Sequence, residues 1–312
     1  MVQAKTGATP LIEVDGIFVK LECVNPCGSI KDRIVEFILQ QSARRGLLLP
    51  GMRIVEATSG NTGIAVAAWG KRLGHPVTIV MPEHMTEERK ALMRHFGAEL
   101  ILVSKEGSFA EAVAVRDELV RKKRAFTTDQ FANPLNAQCH ELTTAEEILA
   151  SLRGRRPDAF VAGVGTGGTL IGVGRSFRDV NPLTEVVAVE PAECAVMSGG
   201  KPGPHGIYGI GDGFIPPIAG DGKGGLHPLI SEVSVVTTEE AIDAANELRE
   251  RYHVCCGPSS GANFIAARRL KDRFRTVVTV FPDGYSKYAA QGLRRCRNGC
   301  AVAELCPEPL FD

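Results

Sequence analysis

Lys31 is the side chain whose chemistry is most distinctive for its position in this sequence. It lies in the polar stretch Asn25–Arg33, which follows Ile17–Glu22, a segment that alternates apolar and polar residues as a half-buried strand does. A lysine amine forms a Schiff base with a carbonyl compound when burial or a nearby positive charge lowers its pKa. Asp32 and Arg33 beside it could supply charge partners. A solvated surface lysine followed by ordinary first-turn charges is the more common explanation, so this signal needs support from elsewhere.

A second candidate is the loop Glu56–Gly63, with the sequence EATSGNTG, between a predicted strand and a predicted helix. Small hydroxyl residues and glycine at a helix N-terminus direct several N–H and O–H donors toward one anion. The carboxylate of a substrate is such an anion. A cluster that only caps the helix explains the same residues, and the sequence of this loop alone leaves both interpretations open.

The glycine-rich loop Gly163–Thr169, GVGTGGT, follows directly after the predicted strand Ala159–Ala162. Its glycines let the backbone approach a phosphate group closely, and the dipole of the following helix favours the phosphate charge. The rival interpretation is a dinucleotide-binding loop of the GxGxxG type. We disfavour it because the loop lies in mid-chain, and because hydride transfer would leave Lys31 and Asn61 without a role.

Two further polar segments are weak signals by themselves. Cys256–Gly261, CGPSSG, precedes a predicted helix, and serines at such a place are most often helix caps. Asp129–Pro134 follows a predicted strand and is by itself only a polar turn. In parallel α/β sheets, however, ligands bind beyond the carboxyl ends of the strands, and we expect these segments to lie at such ends.

Alternating strands and helices must position these loops. Short apolar runs predict strands at Ile17–Glu22, Ile54–Glu56, Val77–Met81, Leu100–Val103, Ala125–Thr128, Ala159–Ala162, Val186–Val189, Val233–Val236 and Val277–Phe281. Helical periodicity predicts helices at Ile64–Leu73, Glu87–Phe96, Ala110–Arg121, Glu239–Arg251, Gly261–Leu270 and Tyr285–Leu293. This alternation predicts an α/β protein whose parallel sheet is covered by helices on both faces. The block Ile34–Asn133 carries β/α units of its own, which indicates a smaller domain inserted in a larger one.

Composition and charge exclude several classes of protein. The 312 residues include 36 Lys+Arg and 36 Asp+Glu, so the chain has no net charge that would attract nucleic acid or an anionic membrane. No apolar run approaches the ~20 residues needed to span a bilayer, and the first residues do not resemble a signal peptide. Nine cysteines scattered through so long a chain do not resemble a secreted disulfide framework. We therefore expect a soluble cytoplasmic protein with reduced cysteines.

Five motifs taken together resemble the cysteine synthase and cystathionine β-synthase family of pyridoxal-phosphate enzymes. They are NPCGSIKDR, EATSGNTGIA, GVGTGGTL, GPHGIYGIGDGF and CGPSSGA, in the order found in that family, and the resemblance covers nearly the whole chain. It implies fold type II, as in the tryptophan synthase β subunit: two domains, each with a mostly parallel sheet flanked by helices. The larger, cofactor-binding domain would comprise residues 1–33 and 134–312, and the smaller, mobile domain residues 34–133. The active site would lie in the cleft between them.

The resemblance also implies a role for each motif residue. Pyridoxal 5'-phosphate is the implied cofactor, bound covalently by Lys31, which is also the implied catalytic base. Asn61 would bind the cofactor hydroxyl oxygen and Ser259 the pyridine nitrogen. The phosphate would lie against Gly165, Thr166, Gly167, Gly168 and Thr169. The substrate carboxylate would be received by Thr58, Ser59, Thr62 and Gln130, while Gly209 with its two following residues would line the rim of the cleft.

The activity that the resemblance implies is β-replacement on an activated serine through an α-aminoacrylate, first of all cysteine synthesis from O-acetylserine and sulfide. Other β-synthases are alternatives: cystathionine from serine and homocysteine, or cysteine from O-phosphoserine. Asp283 keeps them open, because many members that use O-acetylserine have serine after the proline. A cofactor-binding regulatory protein without turnover, or a nicotinamide-dependent oxidoreductase, is a remote alternative. The family also implies a homodimer.

The resemblance does not explain several cysteines. Cys27, in the first motif, stands where alanine or serine is commoner. It is either a packing residue, which we favour, or a thiol close enough to the cofactor to react. Three more lie close to the C-terminus: Cys296, Cys300 and Cys306. Three thiolates could hold zinc or an iron–sulfur cluster, but a closed site needs a fourth ligand and no histidine lies nearby. The flanking arginines would lower the thiol pKa values and favour redox activity. We expect inert thiols and no bound metal.

Overall fold

The computed structural model describes residues 6–104 and 108–295. The chain divides into two compact units: one contains the residues up to Ile30 and from Phe131 onward, and the other contains Lys31–Gln130. The larger unit has a six-stranded sheet and the smaller unit a three-stranded sheet. The predicted α/β architecture, with mostly parallel sheets flanked by helices, is confirmed. The roles assigned to the two domains stay predictions.

The six-stranded sheet has the strand order β1-β2-β9-β6-β7-β8. Its strands are β1 (Leu11–Val14), β2 (Ile17–Leu21), β6 (Ala159–Gly163), β7 (Glu185–Pro191), β8 (Glu232–Val236) and β9 (Val277–Phe281). β1 and β2 form an antiparallel hairpin whose turn residues, Asp15 and Gly16, both have positive φ, as a tight two-residue turn requires. The other neighbouring strands pair in parallel.

Helices cover both faces of this sheet. They are α5 (Leu135–Cys139), α6 (Glu146–Ser151), α7 (Gly168–Val180), α8 (Thr238–Tyr252) and α9 (Pro258–Arg268). Neighbouring residues of β6 face opposite ways: Phe160 and Ala162 pack in one buried cluster with α7, whereas Val161 packs in another with α8 and α9. The nearly continuous apolar character of the strands therefore reflects a sheet buried on both sides.

The smaller unit has a fully parallel sheet in the order β3-β4-β5. Its elements are α1 (Lys31–Arg44), β3 (Ile54–Ala57), α2 (Asn61–Arg72), β4 (Val77–Pro82), α3 (Glu87–His95), β5 (Glu99–Val103) and α4 (Ser108–Lys123). The strand predicted at Ala125–Thr128 is wrong, because only Phe126 pairs there, as an isolated bridge with Ile54. The side chain of Glu56 accepts hydrogen bonds from Thr127 and Thr128, the two residues after Phe126. A side chain therefore takes the place of the backbone hydrogen bonds that a strand would form there.

The helix predicted at Tyr285–Leu293 is also wrong. The segment forms two short 3-10 turns, Tyr285–Lys287 and Ala289–Gln291, separated by Tyr288, whose backbone is not helical (φ −131°, ψ 23°). The hydroxyl of Tyr288 donates a hydrogen bond to the buried carboxylate of Asp283 at 2.5 Å. This hydrogen bond favours the break in the helix. Neither Tyr288 nor Asp283 belongs to a periodic pattern, so the sequence does not indicate the contact.

The cysteines divide into three groups. Five are buried thiols that form no disulfide: Cys23, Cys27, Cys139, Cys194 and Cys256. Cys255 is disulfide-bonded, which departs from the expectation of reduced cysteines. The last three lie outside the described residues, so their interpretation stays a prediction: Cys296, Cys300 and Cys306. Within residues 6–104 and 108–295, no cluster of His, Cys, Asp or Glu could hold a metal ion, and no helix is long and apolar enough to cross a membrane.

Candidate active site

Lys31 is the first residue of α1, and a buried polar network fixes the loop that precedes it. Glu22 is fully buried and accepts hydrogen bonds from Thr9 Oγ1 (2.7 Å) and Asn25 Nδ2 (2.7 Å). The carbonyl oxygen of Asn25 in turn accepts a hydrogen bond from the N–H of Gly28 at 2.8 Å. The turn before the lysine therefore has one defined conformation, as a residue that must meet a reactant in one geometry requires.

The charged residues that follow Lys31 are buried. Asp32 is fully buried and accepts a hydrogen bond from the indole nitrogen of Trp69, on α2, at 3.0 Å. Arg33 is 3% exposed. Both residues lie in the first turn of α1, as the sequence indicates, but they are buried. Lys31 itself is half-buried, so α1 begins with a run of charges that packing constrains.

The loop between β3 and α2 is tied to a distant segment of the same unit. Asn61 is the first residue of α2, so the N–H groups of the first helical turn point toward this loop. Thr62 Oγ1 donates a hydrogen bond to Gln130 Oε1 at 2.7 Å, and both side chains are buried. Thr58 is also buried, and Ser59 after it is half-buried. The structure thus brings Gln130 to the loop that carries the other three residues predicted to receive a carboxylate.

The glycine-rich loop between β6 and α7 is packed too closely for side chains. A Cβ atom placed on Gly165 would lie 2.3 Å from the carbonyl oxygen of Gly209. Gly167 has a left-handed backbone (φ +83°), and a Cβ there would lie 2.8 Å from the Cβ of Ala219. Packing against other protein atoms therefore requires glycine at both positions. α7 begins at Gly168, so the N–H groups of its first turn point toward the same loop.

Two buried side chains hold the hydroxyl groups of this loop. Asn136 Nδ2 donates a hydrogen bond to Thr166 Oγ1 at 2.9 Å, and a Cβ on Gly168 would lie 1.9 Å from the same amide. His140 Nε2 lies 3.2 Å from Thr169 Oγ1. Asn136 is fully buried and His140 is 2% exposed. Fixed hydroxyls beside a helix N-terminus, in a loop without room for larger residues, fit the phosphate group of pyridoxal 5'-phosphate.

Sequence reasoning missed Asn136 and His140. They stand four residues apart, and Thr144, whose Oγ1 lies 2.9 Å from His140 Nδ1, stands four residues further on. Polar residues at this spacing share one face of a helix, a signal that the sequence did contain. The turn His140–Ala145 is π-helical, and such turns are frequent at functional sites.

Ser259 lies in the first turn of α9, where Gly257 is the N-cap residue and Pro258 the first helical residue. Because the N-cap is glycine, capping does not explain Ser259, which is 3% exposed. A Cβ on Gly257 would lie 2.3 Å from Asp283 Oδ1. The unexpected aspartate thus packs against the start of the helix that carries Ser259.

The loops of the larger unit meet at one edge of its sheet. Asn263 of α9 donates a hydrogen bond to a carbonyl oxygen at the end of β9 (2.8 Å), and a Cβ on Gly163 would lie 3.2 Å from its Oδ1. The N–H of Gly211 donates to the carbonyl oxygen of Val164 at 3.0 Å, which places Gly209 against the glycine-rich loop. The loop after the carboxyl end of β6 thus carries the residues predicted to bind the phosphate. The start of α9, which carries Ser259, packs against Asp283 just beyond the carboxyl end of β9, and ligand sites in parallel sheets lie at such ends.

Glu56 is a buried acid at the end of β3, directly before the loop of Thr58. Desolvation by burial raises the pKa of its carboxyl group, while hydrogen bonds from Thr127 and Thr128 and the charge of Arg116 act in the opposite direction. Arg116 Nη1 lies 3.7 Å from Glu56 Oε1. Sequence reasoning assigned no role to this side chain.

Known proteins are similar to this chain over most of its length. Residues 2–283 match the family described as pyridoxal-phosphate dependent enzyme. A cysteine synthase from Staphylococcus aureus is 39% identical over 299 residues, which cover 92% of this chain and 94% of that protein. The crystal structure of a hydrogen sulfide-producing enzyme from Fusobacterium nucleatum is 38% identical, with a TM-score of 0.86, and the match covers 94% of this chain and 91% of that one. The crystal structure of a cysteine synthase from Entamoeba histolytica is 34% identical, with a TM-score of 0.86 and coverage of 98% and 94%.

Proposed function

The chain belongs to the pyridoxal-phosphate dependent enzyme family, and on this premise we propose that it is a cysteine synthase that replaces the acetate of O-acetylserine with sulfide. The observation that carries the proposal is the 39% identity to the cysteine synthase of Staphylococcus aureus over 92% of the chain. At this coverage nearly the whole chain corresponds to the relative, so each candidate residue can be given a role in one reaction.

Lys31 would hold the cofactor and move the proton. Pyridoxal 5'-phosphate supplies the electron sink that lets bonds to the α- and β-carbons of an amino acid break. Lys31 Nζ would bind the cofactor covalently at rest, and during turnover would take the α-proton of the substrate and return it to the product. The half-buried position of Lys31 at the first residue of α1 supports this role.

Residues around the two helix N-termini of the larger unit would hold the cofactor. Thr166 and Thr169, together with the backbone N–H groups of their loop, would donate hydrogen bonds to the phosphate; the glycines concerned are Gly165, Gly167 and Gly168. Ser259 would bind the pyridine nitrogen, and Asn61 of the smaller unit the ring hydroxyl. A serine hydroxyl does not keep that nitrogen protonated as a carboxylate would. The ring is then a weaker electron sink, which favours loss of a good leaving group over transamination.

The loop before α2 would bind the substrate. The hydroxyls of Thr58 and Ser59, the backbone N–H of Thr62 and Nε2 of Gln130 would donate hydrogen bonds to the α-carboxylate. The helix N-terminus at Asn61 favours the same negative charge. Gly209 would line the rim of the site. By binding the carboxylate, these residues would orient the substrate so that its α-proton faces the lysine amine. This is catalysis by proximity and orientation.

A second candidate is a β-synthase with another donor or nucleophile, such as serine with homocysteine or O-phosphoserine with sulfide. The observation that favours it is Asp283, which is 1% exposed and packs against the start of α9. The surroundings of Ser259 therefore include a carboxyl group where many enzymes that use O-acetylserine have serine.

A panel of substrates tests the two candidates. Protein loaded with pyridoxal 5'-phosphate is incubated with O-acetylserine, O-phosphoserine or serine, each with sulfide or homocysteine, and the products are quantified by mass spectrometry. We expect cysteine from O-acetylserine and sulfide to form at least about tenfold faster than any other product. Faster formation of cystathionine would favour the second candidate, and no product from any pair would contradict both. The Lys31→Ala variant is the control for turnover that does not involve the lysine.

The resemblance of the motifs also supports a homodimer located in the cytoplasm. Sedimentation equilibrium should give a mass of twice 33.4 kDa. A monomer at micromolar concentration would contradict the dimer without affecting the proposed chemistry.

A further inference from the structure

Gln130 lies at the end of a segment that leaves the backbone ladder of the three-stranded sheet, so side-chain contacts must fix its position. Phe126 still belongs to the ladder: its N–H donates to the carbonyl oxygen of Arg53 (2.9 Å), and its own carbonyl oxygen accepts from the N–H of Val55 (2.8 Å). Beyond Phe126 the segment forms hydrogen bonds with the side chain of Glu56.

The carboxylate of Glu56 continues the β3 ladder where the backbone ladder ends. Its Oε2 accepts hydrogen bonds from Thr127 Oγ1 (3.2 Å), from the N–H of Thr128 (2.9 Å) and from the hydroxyl of Thr128. Arg116 of α4 lies 3.7 Å from Oε1 and 3.5 Å from Thr127 Oγ1. Glu56 is 1% exposed and Thr128 is fully buried. Since both groups are buried, water cannot replace these bonds if one of them is lost.

The conformation after Thr128 shows why the segment needs an anchor. Asp129 has a left-handed backbone (φ +46°), a conformation that few residues with a side chain adopt, although aspartate adopts it more readily than most. This turn directs Gln130 to Thr62, with 2.7 Å between Oε1 and Oγ1. An unfavourable turn persists only where its surroundings hold both ends. The bonds to Glu56 hold one end and Thr62 holds the other.

We propose that Glu56 is a positioning residue: by holding the two threonines before Asp129, it sets Gln130 against Thr62 and so completes the site of the substrate carboxylate. The inference rests on the proposed function, because that function assigns Gln130 to the carboxylate. Glu56 acts through Gln130 and does not contact the substrate. Affinity for the amino acid should therefore depend on this network, and affinity for the cofactor should not.

Thr128→Val is the decisive variant, because valine keeps the shape of threonine and removes the hydroxyl that donates to Glu56. Thr78→Val is the matched control. Thr78 is a buried threonine of β4 in the same unit, and its hydroxyl contacts Arg53 and Glu99 instead. Steady-state kinetics with O-acetylserine and sulfide, equilibrium dialysis of pyridoxal 5'-phosphate and thermal unfolding are measured for both variants.

We expect Thr128→Val to raise KM for O-acetylserine about tenfold, the effect of one lost hydrogen bond to a charged group. The lost interaction holds the substrate equally in the ground state and the transition state, so kcat should stay within about twofold of the native value. The dissociation constant of the cofactor should not change, and Thr78→Val should change neither constant. Thr128→Ser restores the hydroxyl and should restore KM. Thr127→Ala, at a half-buried position, is the second variant if Thr128→Val does not fold, and should raise KM about threefold.

Equal KM values for Thr128→Val and Thr78→Val would overturn the inference, as would parallel losses of substrate and cofactor affinity. Native enzyme that makes no cysteine would contradict the proposed function first. In that case the dissociation constants of O-acetylserine, serine and O-phosphoserine are read from the absorbance of the bound cofactor. If the inference is correct, these dissociation constants rise about tenfold in Thr128→Val. No rise, or no binding of any of the three to the native protein, would overturn the inference.

Discussion

Replacing Gly167 with alanine should weaken both the fold of the larger unit and its affinity for the cofactor. The left-handed backbone at this position (φ +83°) costs an L-residue about 1–2 kcal/mol. The new Cβ would also lie 2.8 Å from the Cβ and 3.1 Å from the backbone nitrogen of Ala219, which is fully buried at the end of the 3-10 turn Pro217–Ala219. Overpacking of this kind costs about 1–3 kcal/mol. The sum, about 2–5 kcal/mol, must appear as a lower free energy of unfolding or as a displaced loop.

Gly222→Ala is the matched control for the backbone part of this cost. Gly222 also has a left-handed backbone (φ +74°), but no atom lies within 4 Å of a Cβ placed there. The difference between the two variants therefore measures the contact with Ala219 alone. Combining Gly167→Ala with Ala219→Gly removes the closest contact and should recover part of that difference.

Urea denaturation of the apoprotein gives the free energy of unfolding, and equilibrium dialysis gives the dissociation constant of pyridoxal 5'-phosphate. We expect Gly167→Ala to be less stable than Gly222→Ala and to bind the cofactor about 10- to 100-fold more weakly than the native protein. Equal stability of the two variants would refute the packing argument. Lower stability with unchanged cofactor affinity would leave the packing correct and refute the assignment of this loop to the phosphate.

Three further predictions follow from particular side chains. Lys31→Ala should lose nearly all turnover and all covalent cofactor, and cofactor found on another lysine after borohydride reduction would show that the assignment is wrong. Burial raises the pKa of Glu56 above its ordinary 4.5, so its contribution to stability is present below pH 4.5 and is lost as pH rises through the folded-state pKa. Glu56→Gln should therefore gain stability relative to the native protein across that range, and urea titrations at several pH values that show no such trend would contradict the sign. A variant with serine at all three C-terminal cysteines should keep its activity under reducing conditions, and elemental analysis of the native protein should find no stoichiometric metal; about one zinc per chain would refute this.

The strands and helices that could be predicted are those whose formation depends on their own residues. Val277–Phe281 is a strand as predicted, because a continuous apolar run at the centre of a covered sheet is stabilised by burial on both faces. Ala125–Thr128 has a similar apolar start but forms one bridge only, because Glu56, about 70 residues earlier, accepts the hydrogen bonds that a strand would need. Such competition between a backbone ladder and a distant side chain leaves no local pattern in the sequence.

In the candidate site, too, some features could be predicted from the sequence and others could not. The glycine at position 167 could be predicted, because the motif itself indicates a tight loop before a helix. The reason that no other residue fits there lies in Ala219, in a different loop, and could not be predicted. Asn136 and His140 were missed because a polar residue in a helix acquires a role only from its partner, here a threonine hydroxyl some 30 residues away.

The strand order of the larger unit has a consequence for how the protein is made. β9 lies between β2 and β6 in the sheet, although among the strands of the described residues it is the last to leave the ribosome. The described residues of the smaller unit lie between Lys31 and Gln130, and Gln130 is about 150 residues before Phe281. At roughly 5–20 residues per second, the ribosome needs about 8–30 s to bridge that distance. During this interval the smaller unit is fully synthesised, whereas the six-stranded sheet still lacks β9, the strand that pairs with both β2 and β6. Nascent chains should therefore be most vulnerable to proteases and most dependent on chaperones late in translation.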